Sequence, residues 1–197
     1  MSVSSRVWRT ELTPLSFLER SVGVFRDRIA VIDGDRHYTY AELGERVTRL
    51  AHALCAAGIE RGQRVAILAP NSPPMIEAHF GIPLAGAIIV PINTRLSPDE
   101  VAYILEHSGA SLLLAGNEFA PLIAGALDRL DHSLSTVWLS GTPAGDDAPA
   151  QARPGDPTYE SFLAGTRGES FPWSLDPDEG EDGTISINYT SGTTGRP

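Results

Sequence analysis

Residues 65–90 have the sequence VAILAPNSPPMIEAHFGIPLAGAIIV, in which two short apolar runs lie on either side of a helix-start signal. The runs Val65–Leu68 and Ala87–Val90 are apolar at every position, which is typical of strands buried on both faces. Between them, Ser72 is followed by two prolines, a combination that favours the beginning of a helix. A strand, a helix and a second strand predict two parallel strands joined by a helical connection.

The same alternation continues along the chain in both directions. Thr39 and Ser97 are each followed three residues later by Glu, which is the pattern of a helix capping box. The further predicted strands are Ile29–Ile32, His37–Thr39, Ser111–Leu114 and Thr136–Leu139, and the further predicted helices include one beginning at Thr13-Pro14, one over Glu118–Leu130 and one over Thr158–Ala164. We therefore predict an α/β fold with a mainly parallel sheet flanked by helices.

Composition divides the chain into three parts. We predict an α/β subdomain over residues 1–140, a loop-rich acidic connector over residues 141–183, and a strand followed by a truncated phosphate-binding loop over residues 184–197. Thr184–Tyr189 alternates between polar and apolar residues, as strands do. We expect this strand to lack a neighbour on one side, which leaves unpaired backbone groups at a sheet edge, so that the chain is either poorly soluble or frayed from Leu175 onwards.

Charge and residue types exclude several classes of function. The formal net charge of −10 disfavours nucleic acid and anionic membranes as partners. All 15 basic residues are arginine, and the absence of lysine rules out a Walker-type phosphate loop and Schiff-base chemistry within this chain.

Cysteine and histidine give no sign of a metal site. Cys55 is the single cysteine, and its apolar surroundings predict a buried free thiol in a reducing compartment. The five histidines are scattered without metal-ligand spacing. We interpret His79 as a packing residue and Arg95 as one member of an ion pair. The chain shows neither a signal peptide nor a transmembrane segment, so we expect a cytoplasmic protein.

The predicted phosphate-binding loop consists of small and hydroxylated residues. Its members are Thr190, Ser191, Gly192, Thr193, Thr194 and Gly195. Glycine lets the backbone approach an anion, and successive N–H groups in such a turn bind phosphate oxygens. A solvated loop has the same composition, so the residue types by themselves leave both readings open.

The loop sequence nevertheless has a specific resemblance. Tyr189-Thr-Ser-Gly-Thr-Thr-Gly-Arg-Pro197 resembles the phosphate-loop signature of the adenylate-forming family, which includes acyl-CoA synthetases, firefly-type luciferases and peptide-synthetase adenylation domains. Asp35–Leu43, Gly62–Asn71 and Ala85–Leu96 also resemble segments of that family. Glu77–Gly81, together with Ile187–Gly192, is most similar to the branch of ligases that activate medium-chain fatty or aryl acids.

The resemblance implies a fold, a reaction and a set of cofactors. The fold is the first subdomain of the family's large domain, in incomplete form. The reaction joins a small carboxylic acid to the α-phosphate of ATP, giving acyl-AMP and pyrophosphate, and then transfers the acyl group to coenzyme A with release of AMP. In this chain the loop residues would hold the β- and γ-phosphates, and Thr193 or Thr194 would approach Mg²⁺. No catalytic residue and no protein metal ligand is assigned.

Two alternatives to an acid–thiol ligase stay open. One is an adenylation domain of the luciferase or peptide-synthetase type, with another acyl acceptor. The other is a non-catalytic remnant or pseudo-enzyme. Because the family's later residues have no counterpart in this chain, we expect the 197 residues alone to be inactive.

Overall fold

Twelve regular elements lie in the part of the chain that the computed structural model describes, which is residues 12–140, 148–165, 171, 173 and 180–190. In chain order they are α1 (Pro14–Val24), β1 (Ile29–Asp33), β2 (Arg36–Thr39), α2 (Tyr40–Ala56), β3 (Arg64–Leu68), α3 (Pro73–Leu84), β4 (Ile88–Pro91), α4 (Pro98–Ser108), β5 (Ala110–Gly116), α5 (Ala120–Leu127), β6 (Ser135–Leu139) and α6 (Tyr159–Ala164). Short 3₁₀ turns occupy Asn117–Phe119 and Gly180–Asp182.

The central sheet is four-stranded and parallel, in the order β4-β3-β5-β6. Ile67 of β3 is paired with Pro91 of β4 on one side and with Leu114 of β5 on the other. A separate antiparallel hairpin is formed by β1 and β2, which correspond to the strands predicted over Ile29–Ile32 and His37–Thr39. The prediction of an α/β fold with a mainly parallel sheet flanked by helices is confirmed.

Helices cover both faces of this sheet because the strand side chains alternate. Val65 and Ile67 of β3 lie in a core with buried residues of α2, α3 and α6. Ala66 and Leu68 point to the opposite face and pack against α4 and α5. Burial on both faces is the physical reason that these strands are apolar throughout.

The helix-start signals act as predicted. The side chain of Thr39 accepts a hydrogen bond from the backbone N–H of Glu42, and the Thr39 N–H donates to the Glu42 carboxylate at 2.7 Å. Ser97 and Glu100 make the same reciprocal pair at the start of α4. Each pair satisfies N–H groups that the first turn of a helix leaves without a partner.

Three local predictions differ from the structure. Cys55 is exposed, because it follows Leu54 by one residue and therefore points away from the buried stripe of α2. The helix expected over Glu118–Leu130 is shorter, since Pro121 lies in the first turn of α5 and a 3₁₀ turn precedes it. The segment expected as a strand over Thr184–Tyr189 contains one isolated bridge rather than a regular strand.

At each edge of the four-stranded sheet, one residue from the carboxyl-terminal part of the chain forms an isolated β-bridge with the edge strand. Thr158 pairs with Trp138 at the β6 edge, and Ser186 pairs with Ile89 at the β4 edge, both in parallel. Between these bridges, Phe171 and Trp173 pack against the core shared by α1, α2 and α3. The chain therefore passes from one edge of the sheet to the other before it reaches the predicted loop.

Candidate functional site

The residues before the predicted loop are attached to the sheet. The N–H of Ile89 donates to the carbonyl of Ile185 at 3.0 Å, and the N–H of Ile187 donates to the carbonyl of Ile89 at 2.9 Å. The predicted loop thus follows a segment that runs parallel to β4. Loops that follow the strands of open parallel sheets commonly form ligand-binding sites.

One residue of the predicted loop lies within the described part of the chain. Thr190 is exposed to solvent. The remaining predicted site residues, Ser191, Gly192, Thr193, Thr194 and Gly195, lie outside the described residues. The assignment of all six to phosphate binding stays a prediction.

Tyr189, the residue immediately before Thr190, packs on the outer face of α4. Its phenol oxygen lies 2.8 Å from Nδ1 of His107, a hydrogen-bonding distance, and the two rings meet edge to face. The ring of His107 also stacks on that of Tyr103, with the centroids 5.3 Å apart. Partial burial, with a smaller contribution from nearby Tyr103, raises the pKa of the Tyr189 phenol.

Helix α4 is fixed at both ends. Its first turn carries the Ser97–Glu100 capping box. At its last turn, the Arg64 guanidinium donates to the carbonyls of Ser108 at 2.6 Å and Gly109 at 2.7 Å. Gly109 adopts the left-handed conformation with φ of 61°, which ends the helix. The helix under Tyr189 is therefore a well-defined support.

A second polar cluster, which sequence reasoning did not identify, joins α2, α3 and α6. The carboxylate of Glu77 is 1% exposed and accepts hydrogen bonds from Arg46 Nε at 2.7 Å and from the Tyr159 hydroxyl at 2.7 Å. Arg46 also donates through both terminal nitrogens to Glu160, at 2.6 and 3.1 Å. One arginine thus links a buried and an exposed carboxylate.

The electrostatics of this cluster favour the ionised pair. Burial lowers the pKa of Arg46, but the carboxylates of Glu160 and Glu77 more than offset that effect and raise it. Burial, followed by the negative charge of Glu77, raises the pKa of Tyr159 well above its ordinary value. These groups lie 31 to 114 residues apart in sequence, so no local motif predicts them. The one available signal was a glutamate within the apolar stretch of α3.

Two polar residues singled out from the sequence lie elsewhere. His79 is exposed rather than packed in the core, and its Nδ1 lies 2.8 Å from the Met75 carbonyl. Arg95 is also exposed and forms no ion pair with another described residue, so the expected ion pair is not found there.

Metal-ligand clusters and membrane-spanning helices are absent from the described ranges. Those ranges contain no cluster of three or more His, Cys, Asp or Glu side chains able to hold a metal ion. None of the helices described there combines the length and apolar character needed to cross a bilayer.

The fold is that of the amino-terminal part of adenylate-forming enzymes. The chain superposes on the crystal structure of an anthranilate CoA ligase in complex with anthranoyl-AMP with a TM-score of 0.80 and 28% identity, covering 96% of this chain and 34% of that one. A Mycobacterium tuberculosis fatty acyl CoA synthetase gives a TM-score of 0.71 at 27% identity, covering 90% of this chain and 32% of that one.

Sequence similarity leads to the same family. The sequence profile of the AMP-binding enzyme family matches residues 18–197. This chain belongs to the AMP-binding enzyme family.

Two curated relatives show the extent of the match. The peroxisomal acetate/butyrate–CoA ligase of Arabidopsis thaliana is 39% identical over 196 residues, which are 95% of this chain and 34% of that protein. The 4-hydroxybutyrate–CoA ligase 2 of Metallosphaera sedula is 36% identical over 191 residues, which are 96% of this chain and 34% of that protein. The chain spans about a third of the length of the curated relatives that it matches.

Proposed function

We propose that this chain supplies the first α/β subdomain and the phosphate-binding loop of an ATP-dependent, AMP-forming acyl-CoA synthetase. In the proposed reaction, a carboxylate attacks the α-phosphate of ATP to give acyl-AMP and pyrophosphate, and the thiol of coenzyme A then displaces AMP. The observation that carries the proposal is the string Tyr189–Pro197, which follows a segment paired with β4 within a chain of this family.

The loop is proposed to hold the polyphosphate of ATP. Backbone N–H groups and hydroxyl groups from Thr190 to Gly195 would donate to the β- and γ-phosphate oxygens. Phosphate binding by fixed N–H groups does not require a positive net charge, which fits the acidic composition. Mg²⁺ would neutralise phosphate charge beside Thr193 or Thr194. A carboxylate from a later part of the same enzyme would complete the coordination of the metal.

The proposed acid is a short aliphatic or aryl monocarboxylic acid, and the medium-chain fatty acids expected from the sequence are the alternative. Support comes from the names of the relatives, which act on acetate, butyrate, 4-hydroxybutyrate or anthranilate. Coenzyme A is the proposed acyl acceptor for the same reason. An adenylation domain with a different acceptor would form acyl-AMP but no coenzyme A thioester, and the second half-reaction distinguishes the two.

The 197-residue chain by itself is proposed to be inactive. It spans about a third of its relatives, and no acid, base or nucleophile for adenylation is assigned within it. Acid-dependent ATP–pyrophosphate exchange, measured with a panel of short aliphatic and aryl acids, should be undetectable. Measurable exchange with any acid would contradict the proposed inactivity.

Binding of MgATP to the chain tests the role of the loop. The double variant Thr193→Val with Thr194→Val should weaken MgATP binding in equilibrium dialysis by about tenfold or more, because two hydroxyl donors are lost. Thr184→Val, at an exposed position before the paired segment, is the matched control and should bind as the wild type does. Equal binding by the double variant and the wild type would contradict the assignment.

A cytoplasmic location is part of the proposal. The Arabidopsis relative is named as peroxisomal, so the two compartments are the alternatives to compare. A fluorescent fusion of the protein, imaged beside a peroxisomal marker where that organelle exists, separates them.

A further inference from the structure

We propose that Tyr103 and His107 of α4 are positioning residues that hold Tyr189 and thereby fix the start of the phosphate-binding loop at Thr190. The inference rests on the proposed function, because it gives these residues a role in presenting the loop to nucleotide. Neither residue belongs to the loop signature, and both lie more than 80 positions before it in the sequence.

The contact has the geometry of a docking site for one phenol ring. Tyr103 and His107 are separated by one helical turn, so their rings stack on the same face of α4, inclined by 22°. Tyr189 meets the His107 ring at 81° with centroids 5.8 Å apart, and its hydroxyl oxygen is 2.8 Å from Nδ1. Ring packing and a directional hydrogen bond together select one placement of Tyr189.

A second attachment lies two residues earlier. The N–H of Ile187 donates to the Ile89 carbonyl, and the Ile187 side chain packs against the same core cluster as Tyr189. The only residue between the two attachments is Asn188. Since consecutive Cα atoms are about 3.8 Å apart, fixing Tyr189 places Thr190 within one peptide unit of a fixed point.

Hydrogen bonds hold both ends of α4 under this contact, while the contact itself lies at the surface. The capping box and Arg64 hold the two ends of α4, whereas His107 is exposed and Tyr189 is half-buried. A surface contact of this kind adds little to the stability of the whole chain. It does control a local opening equilibrium, in which the segment leaves the sheet without global unfolding.

Amide hydrogen exchange in the 197-residue chain tests the docking step. His107→Ala and Tyr189→Phe should each speed exchange of the Ile187 amide about five- to tenfold, the effect of losing one hydrogen bond. His107→Asn should restore exchange close to the wild-type rate, because the asparagine side chain offers a polar atom near the position of Nδ1. The control His132→Ala, an exposed histidine between α5 and β6, should leave Ile187 unchanged.

Global stability separates positioning from a general structural role. The urea midpoint should stay near that of the wild type in all four variants. The docking proposal is overturned if Ile187 exchanges in His107→Ala within about twofold of the wild-type rate. It is also overturned if exchange accelerates equally throughout the chain together with a fall in the midpoint.

Titration with MgATP, followed at the Thr190 amide resonance, separates failure of this inference from failure of the proposed function. MgATP should shift the wild-type resonance, and its affinity should be at least about threefold weaker in His107→Ala and restored in His107→Asn. Equal affinity in wild type and His107→Ala would overturn positioning while leaving the proposed function in place. No shift in the wild type would contradict the proposed function, and the positioning role with it, even where exchange shows that the docking contact exists.

Discussion

The side chain of Arg46 donates to the buried carboxylate of Glu77, with Nε and Oε1 separated by 2.7 Å. Glu77 is 1% exposed and its other oxygen accepts from Tyr159, so both carboxylate oxygens have partners. A buried charge is tolerated when it is paired and hydrogen-bonded in this way. The arrangement joins α2, α3 and α6, and so attaches the middle of the predicted connector to the α/β core.

Removal of the Glu77 carboxylate should be strongly destabilising. Glu77→Ala leaves the Arg46 guanidinium and the Tyr159 hydroxyl without their buried acceptor, and we expect a loss of about 3–5 kcal/mol in the free energy of unfolding. Urea unfolding followed by tryptophan fluorescence measures it. Glu160→Gln is the matched control, because Glu160 is 52% exposed and such pairs contribute about 0–1 kcal/mol. Equal losses in the two variants would contradict the central role of the buried carboxylate.

The Tyr159 hydroxyl should make stability sensitive to high pH. Burial and the charge of Glu77 raise its pKa above the ordinary value of 10, so the unfolded chain loses this proton at lower pH than the folded chain does. The contribution of Tyr159 is therefore fully present below about pH 10 and is lost as the pH rises beyond it. Tyr159→Phe should lower stability by about 1.5–3 kcal/mol at pH 7 and reduce its decline above pH 10. An undiminished alkaline decline in Tyr159→Phe would assign that decline to other groups.

The capping-box glutamates should make the chain sensitive to acid. Hydrogen bonds from the backbone N–H and the hydroxyl of Thr39 lower the pKa of Glu42, and those of Ser97 lower the pKa of Glu100. Because the folded-state pKa is lowered in each case, the stabilisation is present above about pH 4.5 and is lost as the pH falls further. Glu42→Gln combined with Glu100→Gln should reduce the acid-induced fall of helical circular dichroism near pH 3–4. Glu118→Gln, at an exposed position in a 3₁₀ turn, is the control and should leave the acid profile unchanged.

Two glycine-to-alanine substitutions should act in opposite directions. Gly109 has φ of 61°, and an added Cβ would lie 2.4 Å from Nη2 of Arg64, so Gly109→Ala should cost about 1–2 kcal/mol. Gly23 lies in α1 with nothing within 4 Å of an added Cβ, so Gly23→Ala should be neutral or stabilising by up to about 1 kcal/mol. Thermal unfolding of the two variants measures both effects. Stabilisation by Gly109→Ala would show that the backbone there does not require glycine.

The order of elements could be predicted because its signals are local. Val65–Leu68 is apolar at every position, and Ser97-Pro-Asp-Glu100 specifies a helix start within four residues. Side-chain alternation and helix capping depend on residues a few positions away, so both can be predicted from the amino-acid sequence. The same is true of the loop signature at Tyr189–Pro197, because its nine consecutive residues resemble the family signature by sequence alone.

Some predictions were wrong where local pattern and tertiary packing disagree. Cys55 follows a buried leucine in an apolar helix, yet the rotation of about 100° per residue turns it to solvent. The alternation of Thr184–Tyr189 predicted a strand, but the segment meets β4 through a single bridge. Whether a residue is buried, or a strand is paired, depends on which element comes to lie beside it.

By itself, the sequence determined the α/β alternation, the helix starts, the lysine-free composition and membership of the AMP-binding family. Only the tertiary structure decided the strand order β4-β3-β5-β6, the Arg46–Glu77–Tyr159 cluster and the packing of Tyr189 against His107. The physical reason is the range of the interactions. Periodicity and capping act within one or two helical turns, whereas these contacts join groups 31 to 82 residues apart and exist only after the sheet and its helices have packed.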